Sequence, residues 1–467
     1  MLQSLGRVRQ EFQETGALAA GFSPKSGSPS STLRDFSERI PLQLTAQLRL
    51  RVRETMAGFR FLHAADLHLD SPLTGLTKKS EDYAARLDDA SRQAFDNLIA
   101  LAIEEECRLI VIAGDIFDGQ WRDYRTGLFF IGRMRRLRQA GIRVILIAGN
   151  HDAENRFASR LEYSDVRLLS ARRPESVVIE ELGAAVHGWS FPQRDVTENI
   201  ALEYPAPVPG LFNIGLLHTA CGGSEGHASY APCTLEQLAN HGYDYWALGH
   251  VHTRQVLSTA PYIVYPGNLQ GRSIRETGPK GATLVEVTDG RVAHIEHRAL
   301  DIVRWAVEDV NLSGMEDRDA LLPALQKCVE RACACCDGRA LALRLRLAGS
   351  TPLHAELAGT ASALREEIET LAAGIASGIW IEKVEIRTSP AGASTHADPS
   401  IAGRLRQAVD TLAAEGWFTE RLEARLAEIR TKLPAGAHAD VLFQTLKAEG
   451  LERARVLALA MIDRGHG

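Results

Sequence analysis

The chain has no unbroken run of 18 or more apolar residues, so the sequence offers no helix for crossing a membrane. Cysteine is sparse and odd in number, seven in 467 residues. Cys107, Cys221 and Cys233 are scattered. Cys328, Cys333, Cys335 and Cys336 fall close together but lack the paired CxxC knuckles of a structural zinc site. They read as reduced thiols at a helix end, which suits a reducing cytosol. A basic excess is also missing: 53 Lys and Arg stand against 59 Asp and Glu, a net charge of −6. Such a charge does not advertise nucleic-acid binding and does not exclude it, since a site that holds divalent cations can receive phosphates without a basic surface overall. No internal repeat is present. What remains is 45% hydrophobic and 24% charged, the balance of a globular protein. The length suggests two to four domains.

The first 55 residues stand apart. They carry eight Lys or Arg against five Asp or Glu and include the Ser/Pro/Gly-rich stretch 22–32. This composition predicts a disordered extension. No apolar core followed by a small-residue cleavage site marks a secretory signal, and the five acids oppose a transit peptide. Met56 directly precedes the first strand and reads as the natural start. A chain beginning there is expected to keep full metal-dependent activity.

From residue 59 the pattern alternates. Short apolar strands are predicted at 59–64, 108–113 and 143–148, with helices at 82–106 and 123–140. Such alternation implies βαβ units and a parallel core. Later strands, at about 177–188, 211–217, 243–248, 254–257, 262–265 and 282–297, suggest a second, more mixed sheet. Strands near 305–311, 340–347 and 380–387, interleaved with helices at 318–334 and 361–376, predict a small α+β domain. A linker follows at 390–399, then helical periodicity from about 401 to 463. The domain organisation expected is an extension over 1–55, a catalytic domain over 56–300, a capping domain over 301–390, and a linker with a helical C-terminal region over 391–467.

The buried strands share one property. The first ends in Asp66-Leu67-His68, the second in Gly114-Asp115-Ile116-Phe117-Asp118, and the third in Gly149-Asn150-His151-Asp152. Two later ones end in His218 and in Gly249-His250-Val251-His252. Ligands bind at the carboxyl ends of strands in open α/β sheets. The set is oxygen and imidazole without thiolate, which suits Mn²⁺, Fe²⁺ or Zn²⁺ over a structural zinc. Side chains at i and i+2 of an extended segment point the same way, so Asp66 with His68, and His250 with His252, can each grip one ion. Asp115 is the candidate bridge between two ions, and two ions can clamp a phosphoryl group. His63, His187, His227, His241, His294 and His297 lack this strand-end context and read as structural.

As an ordered set, D-x-H, G-D-x-x-D, G-N-H-D, a lone His after a strand and G-H-x-H resemble the calcineurin-like metallophosphoesterase superfamily. More narrowly, HAADLHLDSPL, IAGDIFDG, IAGNHD, ALGHVHTRQVL and YPGNLQGRSIRETGPKG resemble the SbcD and YhaO type of DNA repair exonuclease. The resemblance implies a layered sandwich of two mixed sheets flanked by helices, with an α+β capping domain and a helical tail. It implies two divalent ions, commonly Mn²⁺. Asp66, His68, Asp115 and His252 would hold one, and Asp115, Asn150, His218 and His250 the other. His151 would stabilise the transition state or protonate the leaving oxygen, Asp152 would orient His151, and Asp118 would play a supporting role. A metal-activated water would attack the DNA phosphodiester. GDIFDG and GNHD differ from the G-D-x-x-D-R-G and G-N-H-E of protein phosphatases, which favours diesters.

Arg272, Arg275 and Lys280, in a glycine-rich stretch after the metal motifs, are candidate DNA contacts, as are Arg122 and Arg125. Arg133, Arg135, Arg136 and Arg138 cluster on one helix and read as a solvated face. The resemblance further implies DNA as substrate, an SbcC-like coiled-coil ATPase engaged by the C-terminal helices, and a homodimer, while the cysteine usage and the missing apolar span suggest a cytoplasmic location away from membranes. Two competing functions are a phosphodiesterase of small nucleotides or other non-DNA esters, and a regulatory scaffold for the ATPase. A cap and tail are superfluous for the first, and an intact ligand set for the second.

Overall fold

The computed structural model describes residues 58–73, 89–118, 124–154, 166–222 and 230–391, with isolated helical positions between 408 and 428. The expected extension at 1–55, Arg122, and the helical region after 391 apart from those positions lie outside the described residues.

In chain order the first part runs β1 (Phe59–Ala64), α1 (Ala90–Glu104), β2 (Leu109–Ala113), α2 (Arg125–Gln139), β3 (Arg143–Ile147), α3 (Asn150–Glu154) and β4 (Arg167–Leu168). Next come β5 (Glu175–Ile179), β6 (Ala184–Gly188), β7 (Phe212–His218), α4 (Leu235–Asn240), β8 (Tyr245–Gly249), β9 (Gln255–Thr259), β10 (Tyr262–Tyr265) and the hairpin of β11 (Gly281–Thr288) with β12 (Arg291–Ala299). The last part is β13 (Val303–Asn311), α5 (Leu321–Ala334), β14 (Ala340–Thr351), α6 (His354–Gly359), α7 (Ala361–Ile375) and β15 (Ile379–Pro390).

These strands form two six-stranded mixed sheets, ordered β12-β11-β1-β2-β3-β4 and β5-β6-β7-β8-β10-β9, and a three-stranded sheet β13-β14-β15. The two large sheets face each other. The period of two along a strand sorts their side chains. In β2, Leu109 and Val111 enter the interior between the sheets with Phe61, Ile145, Phe212, Ile214 and Tyr245. Ile110 and Ile112 point the other way, against Phe95, Leu98 and Ile99 of α1 and Phe130, Met134 and Leu137 of α2. Every residue of β2 is buried, as a central parallel strand covered on both faces requires. The outer face of the second sheet is covered in turn by Phe191, Ile200, Tyr204 and Leu238.

Two expectations need correction. The predicted strand at 177–188 is two antiparallel strands, β5 and β6, reversed by a short turn that ends at Gly183 with φ +60°. The stretch 281–299 joins the first sheet, not the second, with β11 antiparallel to β1. Its apolar pattern fits either place. Val285 and Val287 enter the sandwich while Ala282 and Leu284 meet the helices, so β11 is covered on both faces and periodicity alone cannot choose its sheet.

The third sheet is wholly parallel, and among the described residues α5 and α7 cover one of its faces. In β14 the even spacing of Leu341, Leu343, Leu345 and Leu347 puts all four against α5 and α7. Its other face begins with Ala342, which packs with Trp305, Trp380 and Ala90 at the junction with the larger unit. It continues with Arg344, bound through two hydrogen bonds of 2.6 Å to Glu382 and one of 3.1 Å to Glu385.

Candidate metal centre

The carboxyl ends of β1, β2, β3, β7 and β8 converge. Beyond β1 the chain stays in register with its neighbour: Asp66 N–H donates to the Gly114 carbonyl and His68 N–H to the Asp115 carbonyl, each at 3.0 Å. The backbone then turns tightly. Asp66, His68, Asp115 and His250 have φ of +50°, +41°, +52° and +97°. Non-glycine residues seldom occupy this region, at a cost of about 1–3 kcal/mol each. Four such residues, all at predicted ligand positions, show that the fold holds these side chains inward against backbone preference. Gly249 is needed beside them, because a Cβ there would overlap the Ala113 carbonyl and crowd His218 Nδ1.

Asp115 sits at the middle. Its Oδ2 lies 3.8 Å from His68 Nε2 and 3.6 Å from His218 Nε2. Its Oδ1 accepts the His151 N–H at 3.0 Å. Donor atoms of Asp66, His68 and His252 form one group within 4.8 Å of one another, and those of Asp66, Asp115 and His218 a second. None of the metal-capable groups among the described residues contains cysteine.

The protonation pattern fits cations in both groups. His218 is fully buried and its Nδ1–H donates to the Ala113 carbonyl at 2.9 Å. Its Nε2 therefore presents a lone pair, 3.0 Å from the amide oxygen of Asn150. His252 Nδ1–H donates to Glu276 Oε1 at 2.7 Å, so its Nε2 also presents a lone pair, 3.2 Å from His68 Nε2. Burial, then the charge of Arg272, lowers His68 to about 4, which keeps it a neutral ligand. Burial and the charge of Asp115 raise Asp66 well above the usual carboxylate range. Burial also opposes charge on Asp115, but the imidazoles of His218, His68 and His151 hold it below its ordinary value. Lone pairs and carboxylates converging on shared space are what divalent cations satisfy. His250 joins through its backbone, whose N–H donates to both oxygens of Asp66 at 3.1 Å, and its ring stands edge-on to His218 at 5.3 Å.

His151 differs from the candidate ligands. It is partly exposed, and its Nδ1 is 3.1 Å from Asp118 Oδ1. The Asp118 hydrogen bond raises its pKa. Burial works against the Asp118 charge, yet the hydrogen bonds from His151 and Ser71, with the His68 ring 3.7 Å away, hold that carboxyl far below the usual range.

Here the expected role of Asp152 is corrected. Its carboxylate accepts N–H groups of Ile116, Phe117 and Gly149, all at 3.0 Å, and tethers the turn after β2 to the turn after β3. The residue that orients His151 is Asp118. Asp152 lies at the start of α3, one residue past His151, and a side chain there faces the adjacent backbone amides. Burial, then Asp115, raises Asp152 to about 7.

The basic candidates separate. Arg272 stands at the site, with Nη1 3.8 Å from Asp118 Oδ1 and Nη2 3.4 Å from Glu276 Oε1. Arg275 is exposed nearby, and Arg125 is exposed at the start of α2. Lys280 is 4% exposed and its ammonium donates to the His252 carbonyl at 2.8 Å, so it supports the loop and does not face a surface. Arg133 pairs with Asp96 at 2.6 and 2.8 Å and lies over Phe129. His63 is bonded to Tyr245 and the Leu248 carbonyl beneath the site, and His187 to Ser176 and Asn213 away from it.

Glu276 is the site residue that motif reading misses. It lies 24 residues beyond His252, amid the basic residues of the stretch with the candidate DNA contacts, and no local spacing links the two.

Comparison with known proteins is consistent with this geometry. Residues 59–254 match the family described as calcineurin-like phosphoesterase, and residues 305–389 match the middle domain of metallophosphoesterase YhaO. The chain is 35% identical over 355 residues to metallophosphoesterase YhaO of Bacillus subtilis (strain 168), spanning 74% of this chain and 86% of that one. It is 25% identical over 255 residues to the DNA double-strand break repair protein Mre11 of Methanopyrus kandleri, spanning 50% of this chain and 52% of that one. It is 24% identical over 287 residues to the SbcD component of the nuclease SbcCD of Escherichia coli (strain K12), spanning 51% of this chain and 67% of that one.

Proposed function

The chain belongs to the calcineurin-like phosphoesterase family, alongside YhaO, and from that premise we propose that it cleaves phosphodiester bonds of DNA as a repair exonuclease or endonuclease. Phosphoester hydrolysis is the family's chemistry. The observation that carries the reading is Asp115, whose one carboxylate oxygen stands between His68 and His218 at 3.8 and 3.6 Å. Asp66, His68, Asp115 and His252 on one side, and Asp115, Asn150, His218 and His250 on the other, would hold two divalent ions, with Mn²⁺ the proposed metal. When bound, such ions lower the pKa of water and neutralise charge on a phosphoryl group.

The chain's own groups do the rest. His151, whose hydrogen bond to Asp118 favours its cationic form, carries a proton at the rim and delivers it to the leaving oxygen. Arg272, 23% exposed between Asp118 and Glu276, offers N–H groups to a non-bridging phosphate oxygen. Arg275 extends the positive rim along a backbone. The acidic net charge suits a nuclease that takes phosphates at one site and does not coat the duplex.

DNA as substrate is supported by the repair and nuclease names of the Mre11 and SbcD relatives. The proposal includes residues 56–300 as the catalytic domain, 301–390 as a cap that shapes the DNA path, an SbcC-like ATPase engaged by the C-terminal helices, a homodimer, and a cytoplasmic setting. The purified protein is incubated with Mn²⁺ and linear duplex DNA, single-stranded DNA or bis-p-nitrophenyl phosphate, beside a His218→Ala variant, with and without the ATPase. Metal-dependent DNA degradation lost in the variant is expected. Cleavage of the small ester alone under every condition would make it a phosphodiesterase of non-DNA esters. Inactivity on all three would favour a scaffold.

A further inference from the structure

We propose that Glu276 is the positioning residue for His252, and that the three-stranded unit sets this position through Trp305. The inference rests on the metal reading of the site. A carboxylate at 2.7 Å from His252 Nδ1 fixes that nitrogen as the donor and leaves Nε2 as the ligand atom, facing His68. Glu276 is itself held. Its Oε2 accepts from Asn268 Nδ2 at 2.8 Å and from the Arg272 N–H at 2.7 Å, and its side chain is 14% exposed. Both oxygens are thus committed, and the imidazole they orient has one ring position available to it.

The loop that carries Glu276 is tied at two points to one side chain and backbone of β13. Trp305 Nε1–H donates to the Gly271 carbonyl at 2.8 Å, and Gly278 N–H donates to the Trp305 carbonyl at 3.0 Å. These points bracket Glu276 in sequence. Trp305 is 1% exposed and packs against Trp380 of β15. A shift of the small unit would therefore be felt at Glu276 before it reached any metal ligand.

Mn²⁺ affinity is measured by isothermal titration calorimetry on the full chain, with melting temperature as the control for folding. Glu276→Ala is expected to weaken Mn²⁺ binding about 10–100-fold, the range for lost outer partners of a ligand histidine. Glu276→Gln keeps an acceptor for Nδ1–H and is expected to retain more affinity than the alanine variant but less than the parent. Imidazole ¹⁵N shifts would show mixed tautomers at His252 in the alanine variant, a change that loop support alone would not produce. Trp305→Phe keeps an aromatic ring, though a smaller one, loses the indole donor, and is expected to weaken Mn²⁺ binding several-fold. Unchanged affinity in a folded Glu276→Ala protein overturns the role of Glu276. If that variant does not fold, Glu276→Met, which keeps the bulk and loses the acceptor, takes its place, and unchanged affinity and tautomer there overturn it instead. Unchanged affinity in Trp305→Phe overturns the part given to the small unit. His252→Ala separates the two levels: if it too leaves Mn²⁺ binding intact, the metal reading of this group fails.

Discussion

The sandwich and the three-stranded unit are both built on parallel strands backed by helices, yet only the sandwich collects chemistry at its strand ends. β13, β14 and β15 finish in Asn311, Thr351 and Pro390, and none of the metal-capable groups among the described residues draws on this unit. In the sandwich, ends from two facing sheets meet, and four of the residues that meet are held at positive φ. In the small unit the one non-glycine residue at positive φ among those described is Asp337, in the turn before β14. Its charged groups form a ladder instead, with Arg344 across Glu382 and Glu385. Parallel strand ends are thus insufficient for a site. Opposed ends, close enough to share a carboxylate, make one.

The contrast can be broken or sharpened by substitution. Asp115→Asn removes the shared charge and should lower phosphodiester turnover about 10³-fold, the equivalent of several kcal/mol of lost charge stabilisation. Assays with bis-p-nitrophenyl phosphate at saturating Mn²⁺ test this, and near-parental turnover would contradict a bridging role. His151→Gln should lower kcat by at least about 10²-fold, with Mn²⁺ affinity from calorimetry unchanged. A matching loss of affinity would make His151 a ligand. Gly249→Ala should destabilise the fold by about 1–3 kcal/mol in urea melts, because the new methyl meets the Ala113 carbonyl. The opposite sign is expected in the small unit: a Cβ at Gly374 in α7 meets nothing within 4 Å, so Gly374→Ala should stabilise by about 0.5–1 kcal/mol. Equal effects at the two glycines would erase the distinction between a crowded site and a plain helix.

Much of the site is legible in the sequence because each candidate ligand announces itself locally. A buried apolar strand that stops in Asp, Asn or His, in three of the five cases after a glycine, is a pattern of a few residues, and its recurrence along the chain defines a set. The alternating βαβ order likewise marks the parallel heart of the first sheet. Partners chosen across the fold are not legible. Nothing near His252 in the chain points to Glu276, and nothing near His151 prefers Asp118 over its own neighbour Asp152. Those choices depend on which loops face each other. The sheet that β11 joins escapes for a related reason, since a strand apolar on both faces carries no mark of it. Lys280 shows the limit for charge: a lysine beside two arginines reads as surface and is buried under a carbonyl.

The Asp152 tether bears on speed. One carboxylate gathers three backbone amides from the turns that carry Asp115 and Asn150. The two turns are therefore knotted together by the chain itself, through bonds that owe nothing to an ion. Arriving cations meet a frame already set, and their capture should be paced by the shedding of their own hydration water and not by rearrangement of the polypeptide.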